Sequence, residues 1–349
     1  MRWQWAGGAG RQTGRAAELG RRWAAGLLGS GVRRAVGVDL GAGSIKWVEL
    51  VRRWGGGCSL AGLGRVEVPA GLMLDGPAEH LQAWMQLLQS LGLQRTVRTR
   101  AVAMALPASG VILRRTRFRA GLQADELAAY VEGEAAAWAP FPLESLALDF
   151  AVLGPAEGAT GEVDVLMAAA RQDRVQWRQT LAQAAGLKLT VIDTESNAAA
   201  LALAHWRPPV QSGAPGLALA LVDLGCNAVC LRVMVQGELL FERSEELAPQ
   251  FAQAEHGQWP AHCLTIARCL QVFQAAQPGR GLLGLALAGE ANGRPGLPDV
   301  LTRLTGLPAW WLDPFVNLLP CADAGPKPQA IQACAYVVAC GLAWRALSP

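Results

Sequence analysis

The chain has 349 residues, of which 52% are hydrophobic and only 17% charged, with a formal net charge of +3. That length suits two domains with sizeable cores, and so small a charge argues against nucleic acid as a partner across the chain. No apolar run has the length and lack of charge needed to span a bilayer. The 8 cysteines are scattered without a Cys-x-x-Cys pair, which suits thiols in a reducing compartment.

Residues 1–34 carry seven arginines and one acid, Glu18. They lack the continuous apolar segment of an export signal. Leu19, Trp23, Leu27 and Leu28 fall towards one side of a short basic amphipathic helix over 16–28, suited to an anionic membrane surface. A disordered tail or an overextended translation start explains the same composition more simply.

Ala35 to Leu40 reads as a buried strand holding one acid, Asp39, and Ile45 to Val51 alternates like a half-buried strand. The turn between them is Gly41-Ala42-Gly43-Ser44. Such a hairpin is expected to place Gly41 and Gly43 at positive φ with their amides open to an anion. Ser44 would add a hydroxyl and Lys46 a cation, while Asp39 would face the metal that accompanies a phosphate. An ordinary glycine-rich hairpin with a buried aspartate fits this one stretch equally well.

Strands are expected at 58–68 and 97–106, with a helix over 77–91 whose Leu81, Trp84, Met85, Leu87 and Leu88 share a face. Residues 111–186 read as a β-α-β-β-α unit whose first strand carries Arg115, Arg117 and Arg119 on one side. Those arginines either guard a solvated edge or hold an acidic or peptide partner. A strand at 187–192 leads to an alanine-rich helix starting at Asp193, and 207–216 is a Pro/Gly linker.

Residues 217–235 then repeat the opening layout: apolar strand, Asp223-Leu224-Gly225, a turn through Cys226 and Asn227, and a second strand. A hairpin recurring after roughly 180 residues marks duplicated domains, with two turns facing each other across one cleft. Helices at 259–275 and 329–347 flank a buried strand at 282–288, and Gly289 opens a loop into a helix ending at Leu304. A strand, glycine loop and helix in that order can seat an adenosine, as can a plain connection seat nothing. Trp206, Trp310 and Trp311, among 13 tryptophans, suit either an exposed interaction patch or core and cleft lining.

The order of these features, with Ala105-Leu106-Pro107, Trp138-Ala-Pro-Phe-Pro142, Leu148-Asp149-Phe150, Val163 to Arg171, Ala185-Gly186-Leu187, Val191-Ile192-Asp193 and Gly237 to Phe241, resembles the PilM family of type IV pilus assembly. That family is an FtsA-like branch of the actin/sugar kinase/Hsp70 ATPase superfamily. The resemblance implies an α/β, actin-like (ribonuclease H-like) pair of duplicated domains around a nucleotide cleft. The first domain would comprise 35–110 and 187–206, with a small FtsA-like subdomain inserted at 111–186. The linker at 207–216 would lead to the second domain, 217–349, whose own subdomain is reduced. The cofactor implied is ATP with Mg2+. Asp39, Gly41, Gly43, Ser44 and Lys46 match the first phosphate loop, Asp223, Gly225 and Asn227 the second, and Gly289 the adenosine loop; Asp39 and Asp223 would serve the metal.

Departures from the family pattern are Ala42 in a serine position, Glu290 in place of a glycine, and no Gly-Gly turn between Arg243 and Leu282. Hydrolysis is accordingly expected to be absent or very slow, and no catalytic residue is assigned. The implied role is a cytoplasmic adaptor, peripheral on the inner membrane, that binds the cytoplasmic N-terminal peptide of a PilN-like protein. A PilO-like protein and the pilus motor ATPases would be indirect partners, and nucleic acid none. A small-molecule kinase of the same superfamily is the alternative, with Asp193 and Glu195 as candidate bases.

Overall fold

The computed structural model describes residues 34–53, 57–93, 101–156, 158–206, 209, 217–226, 228–235, 237–247, 259–290, 296–319 and 328–347. The expected basic helix at 16–28, nearly all of the 207–216 linker, Asn227 and positions 291–295 lie outside the described residues.

In chain order the first half gives β1 (Arg34–Leu40), β2 (Ser44–Arg52), β3 (Cys58–Glu67), α1 (Ala78–Ser90) and β4 (Ala101–Leu106). There follow β5 (Val111–Arg119), α2 (Ala124–Trp138), β6 (Leu146–Pro155), β7 (Glu162–Arg171), α3 (Gln172–Ala184), β8 (Lys188–Thr194) and α4 (Glu195–Ala204). The second half gives β9 (Ala218–Leu224), β10 (Ala228–Val235), β11 (Glu238–Glu246), α5 (Trp259–Ala276), β12 (Leu282–Gly289), α6 (Leu297–Thr305) and β13 (Ala309–Trp311). The last elements are α7 (Ala330–Ala333) and α8 (Val337–Leu347).

One sheet pattern occurs twice. The first sheet runs β3-β2-β1-β4-β8 and the second β11-β10-β9-β12-β13. In each, the opening three strands are antiparallel and the last two add in parallel. The parallel strands need crossover connections long enough to carry helices. Between β4 and β8 that connection has grown into a third sheet, β5-β7-β6, covered by α2. The connection between β11 and β12 contributes only α5 among the described residues.

α8 packs against β1, β2 and α4 and forms the pillar of the first half. Backbone approaches backbone there, so the contact tolerates no side chain. A Cβ built on Gly341 would lie 1.8 Å from the carbonyl oxygen of Ala198 on α4, and one on Gly37 of β1 would lie 2.0 Å from that of Ala339. The stretch Ala330–Leu347 does have the length and hydropathy of a membrane span, contrary to the expectation from its sequence. It is 78% buried inside the protein, which is the position of a core helix.

Other differences are local. Asp193 lies in β8, which runs to Thr194, and does not begin a helix; Thr194 caps α4, its hydroxyl accepting from the Asn197 amide at 3.1 Å. The helix expected over 329–347 is interrupted by a 3-10 turn at Cys334–Tyr336. Trp310 and Trp311 lie in the short strand β13, half-buried. Trp310 packs with the buried Trp206, ring centroids 6.5 Å apart.

Candidate functional site

The two repeated turns meet. A Cβ placed on Gly43 would lie 3.3 Å from the Cys226 sulfur, so the β1–β2 and β9–β10 turns abut at the junction of the two sheets. Each is closed in the same way. The Gly41 amide donates to the Ser44 carbonyl at 3.1 Å, and the Gly225 amide to that of Ala228 at 2.9 Å.

That geometry corrects the expectation of open amides. Neither Gly41 nor Gly43 has a positive φ, and the Gly41 amide is used inside its own turn. What glycine supplies at 41 is room: a Cβ there would stand 2.9 Å from the Ser44 carbonyl oxygen and 3.2 Å from the Lys46 ammonium. The first turn therefore presents side chains to the junction. Lys46, paired in register with Asp39 across the hairpin, is only 5% exposed.

The anion facing these groups is Glu290. It follows Gly289 at the end of β12, and its amide donates to the Leu224 carbonyl of β9 at 2.7 Å. Gly289 has φ 94°, and a Cβ on it would be 2.4 Å from that same carbonyl oxygen, so glycine is required to bring the chain so close to the second turn. From there the Glu290 carboxylate crosses to the first half. It accepts from the Ser44 hydroxyl at 2.6 Å and pairs with Lys46 at 3.1 Å and with Arg65 of β3 at 3.3 Å.

Electrostatics decide the protonation states. Burial works against the Lys46 ammonium, but Asp39, 3.3 Å away, and Glu290 outweigh it and hold its pKa above the usual lysine value. Burial also opposes the Glu290 carboxylate; Lys46, Ser44 and Arg65 overcome this and hold its pKa below the ordinary glutamate range. For Asp39 burial wins, with Asp223 and Glu290 adding repulsion, and its pKa rises despite Lys46. Asp39 and Asp223 each lie two residues before the glycine of one of the two abutting turns, so both aspartates face one junction.

A second cation, Arg232 of β10, is 2% exposed and binds Asp223 at 3.2 Å and Glu242 of β11 at 2.8 Å. It also lies 3.9 Å from Glu195 at the start of α4, in the first half. Glu242 in turn accepts from the Ser196 hydroxyl at 2.6 Å. Burial, then the charge of Asp39, push the Glu195 carboxyl up to about 7. Asp193 is different: Arg345 at 2.8 Å and the Asn197 amide at 2.7 Å engage it, which makes it a structural tie of β8, α4 and α8.

Of the residues expected at the site, the structure brings together Asp39, Gly41, Gly43, Ser44, Lys46, Asp223, Gly225 and Gly289; Asn227 lies outside the described residues. Arg65, Arg232 and Glu242 were missed. Arg232 left one signal in the sequence, a lone charge inside the apolar strand Val229 to Val235. Among the described residues no group of three or more His, Cys, Asp or Glu is arranged to hold a metal. Asp39 is taken up by Lys46 and Asp223 by Arg232. ATP with Mg2+ does not fit these residues as arranged, because the Glu290 carboxylate already holds Ser44 and Lys46 and internal cations hold both aspartates.

Two copies of one five-stranded sheet, an inserted sheet in the first, and facing turns at their junction define an actin-like fold. Over residues 37–254, more than half of its length, the chain matches the family described as type IV pilus assembly protein PilM, and it belongs to that family. A solved structure described as the PilM-PilN type IV pilus biogenesis complex is similar at a TM-score of 0.70 and 24% identity, covering 91% of this chain and 100% of that one. Weaker likenesses include ethanolamine utilization protein EutJ from Carboxydothermus hydrogenoformans, at TM-score 0.48 and 14% identity over 94% of this chain and 98% of that one. Another is a Bacteroides thetaiotaomicron protein of unknown function with an actin-like ATPase fold, at TM-score 0.45 and 10% identity over 80% and 91%.

Proposed function

We propose that this protein is the adaptor of a pilus assembly platform: it lies in the cytoplasm, peripheral on the inner membrane, and captures the cytoplasmic N-terminal peptide of a PilN-like partner. A PilO-like protein and the pilus motor ATPases are reached indirectly, and no nucleic acid is involved. Family membership supports the assembly role. The similar solved structure is a complex of a PilM with PilN, which supports the kind of partner.

The observation that carries the reading is the outer edge of the inserted sheet. In the order β5-β7-β6, β5 pairs with β7 alone among the described residues, leaving its other side able to add an extended peptide by main-chain hydrogen bonds. Ile112 and Leu113 on that strand are 38% and 47% exposed, and Phe141 close by is exposed as well. Cation–π contacts of Arg114 with Trp138, at 5.8 Å, and Arg171 with Phe141, at 5.6 Å, hold this surface in shape. Arg115 and Arg117 of this edge share Asp164 of β7, at 2.5 and 3.4 Å, and supply its cations. An amphiphilic peptide with an acid suits it.

ATP with Mg2+ enters this reading only as a ligand that must displace the Glu290 carboxylate, and its turnover is absent or very slow. The kinase alternative is favoured by the place of Glu195 at the start of α4, 3.9 Å from Arg232 beside the junction, where burial raises its carboxyl to about 7 and suits it to act as a general base.

The test is membrane recruitment in cells that contain the partner. Deletion of residues 1–33 should leave recruitment intact. The double substitution Ile112→Glu, Leu113→Glu should abolish it, and should abolish capture of the partner's peptide, with the fold retained by circular dichroism. Release by the deletion alone, with the edge variant still recruited, would make the arginine-rich tail the anchor and overturn this reading.

A further inference from the structure

Beyond the peptide edge, the junction of the two halves carries an inference of its own. Three donors of the first half, the Ser44 hydroxyl, the Lys46 ammonium and the Arg65 guanidinium, converge on one carboxylate of the second. A hydroxyl and two cations around one small anion are the donor set of a phosphate site. Glu290 is seated by its backbone on the second turn, through its amide bond to Leu224 and the close approach of Gly289. Its side chain is the part that crosses to the first half. Lys46 is nearly buried and already divided between Asp39 and Glu290, so an incoming phosphate gains little from it until Glu290 leaves.

We propose that Glu290 is a resident anion: its carboxylate takes the position of a nucleotide's terminal phosphate and holds the two halves together without nucleotide. In an actin-like fold a bound polyphosphate can bridge the facing turns from both sides. Here one side chain does so, from the half that carries it to the half that receives it. Arg232, reaching from β10 to Glu195 on α4 at 3.9 Å, adds a second bridge at the other side of the junction. Neither bridge needs a diffusible ligand. The closed arrangement is then permanent, and the protein can serve as a rigid platform whose shape does not follow the cell's nucleotide level.

Two variants test this, Glu290→Ala and Glu290→Gln, with ATP and Mg2+ as the probe in calorimetry and amide hydrogen exchange as the readout of closure. Wild type should show no binding tighter than about 1 mM. Glu290→Ala should bind at least about tenfold more tightly than wild type, and Glu290→Gln, which keeps the bulk and loses the charge, should lie between. Without ligand, amides at 41–46 and 223–226 should exchange faster in Glu290→Ala than in wild type, and ATP with Mg2+ should slow them again. Amides of α8 serve as the folding control and should not change. Wild type binding ATP as tightly as Glu290→Ala, or unchanged exchange at both turns in a variant with an intact α8, would overturn the proposal. Capture of the partner's peptide is measured separately on the same proteins. Its failure in wild type counts against the adaptor reading and leaves the resident anion standing.

Discussion

The two hairpins at the centre of the molecule share a backbone and differ in chemistry. In the first, Asp39 pairs in register with Lys46; in the second, Asp223 pairs with Cys230. Ser44 closes the first turn and Ala228 the second, through the same backbone hydrogen bond. The hydroxyl and the cation of the first copy are thus an alanine and a thiol in the second. Burial pushes that thiol up to about 12, so it stays neutral. The second half replaces the missing cation from two residues further along β10, with Arg232, and adds a carboxylate from just after β12, Glu290. Duplication preserved what the strands and turns require, while the charges were redistributed until they satisfied one another across the junction.

If backbone fit is the preserved quantity, its disruption should have the largest effect. Gly341→Leu drives a side chain into the Ala198 carbonyl, where even a Cβ would lie 1.8 Å away. The expected loss exceeds about 3 kcal/mol, read by urea denaturation, and failure to fold is the limiting case. The contrasting substitution is Gly237→Ala, in the β10–β11 turn, where nothing lies within 4 Å and only the φ of 87° opposes a side chain. There the cost should be about 1 kcal/mol. Equal effects at the two glycines would show that the α8–α4 contact yields, and that the pillar is not what holds the first half together.

Charge redistribution should rank next. Arg232→Met leaves Asp223 and Glu242 facing each other in a largely buried place, with Glu195 nearby. Removing one partner of such a network costs about 3 kcal/mol, because the stranded carboxylates keep their desolvation penalty and lose their attraction. A double substitution, Arg232→Met with Glu242→Leu, should recover part of the loss in the same urea titration. Recovery to nearly wild-type stability would mean that Arg232 contributes specificity of closure and little net stability.

The duplicated layout was legible in the sequence because it rests on local rules. Asp-Leu-Gly after an apolar run, followed by small residues and a second alternating run, can form few structures other than a hairpin. The inserted unit was legible through the proline stop after Trp138 and the alternation of residues 111–118. What could not be read was the clasp. Glu290 and Ser44 lie far apart in sequence, and nothing in either neighbourhood announces the other. Positive φ at Gly41 and Gly43 was expected from composition, whereas the turn is closed tightly by backbone and uses glycine for space. β13 escaped because three residues after Leu307-Pro308 carry too little alternation to register as a strand. The break at 334–336 escaped because Cys334, Ala335 and Tyr336 continue an apolar helical run without a glycine or proline.

The smallest expected effect is the dependence of stability on pH through Glu195, and it separates the junction from the surface. Burial and the charge of Asp39 raise this carboxyl to about 7, whereas in the unfolded chain a glutamate titrates near 4.3. Between those values the folded protein binds a proton that the unfolded chain has released, so stability falls as pH rises through the window. Acidification from 7.5 to 5 should therefore stabilise the fold. The full shift corresponds to roughly 4 kcal/mol, but the side chain is 31% exposed, and solvent screening reduces the expected gain to about 1–2 kcal/mol. Asp39, also raised by burial, acts in the same direction. Glu290 acts in the opposite one: its depressed pKa contributes stability above the unfolded glutamate value, lost as pH falls through the folded one. Urea midpoints at pH 5, 6 and 7.5 should rise on acidification in wild type and rise distinctly less in Glu195→Gln. A slope undiminished by this substitution would place the titrating group elsewhere and would mean that Arg232 keeps Glu195 charged throughout.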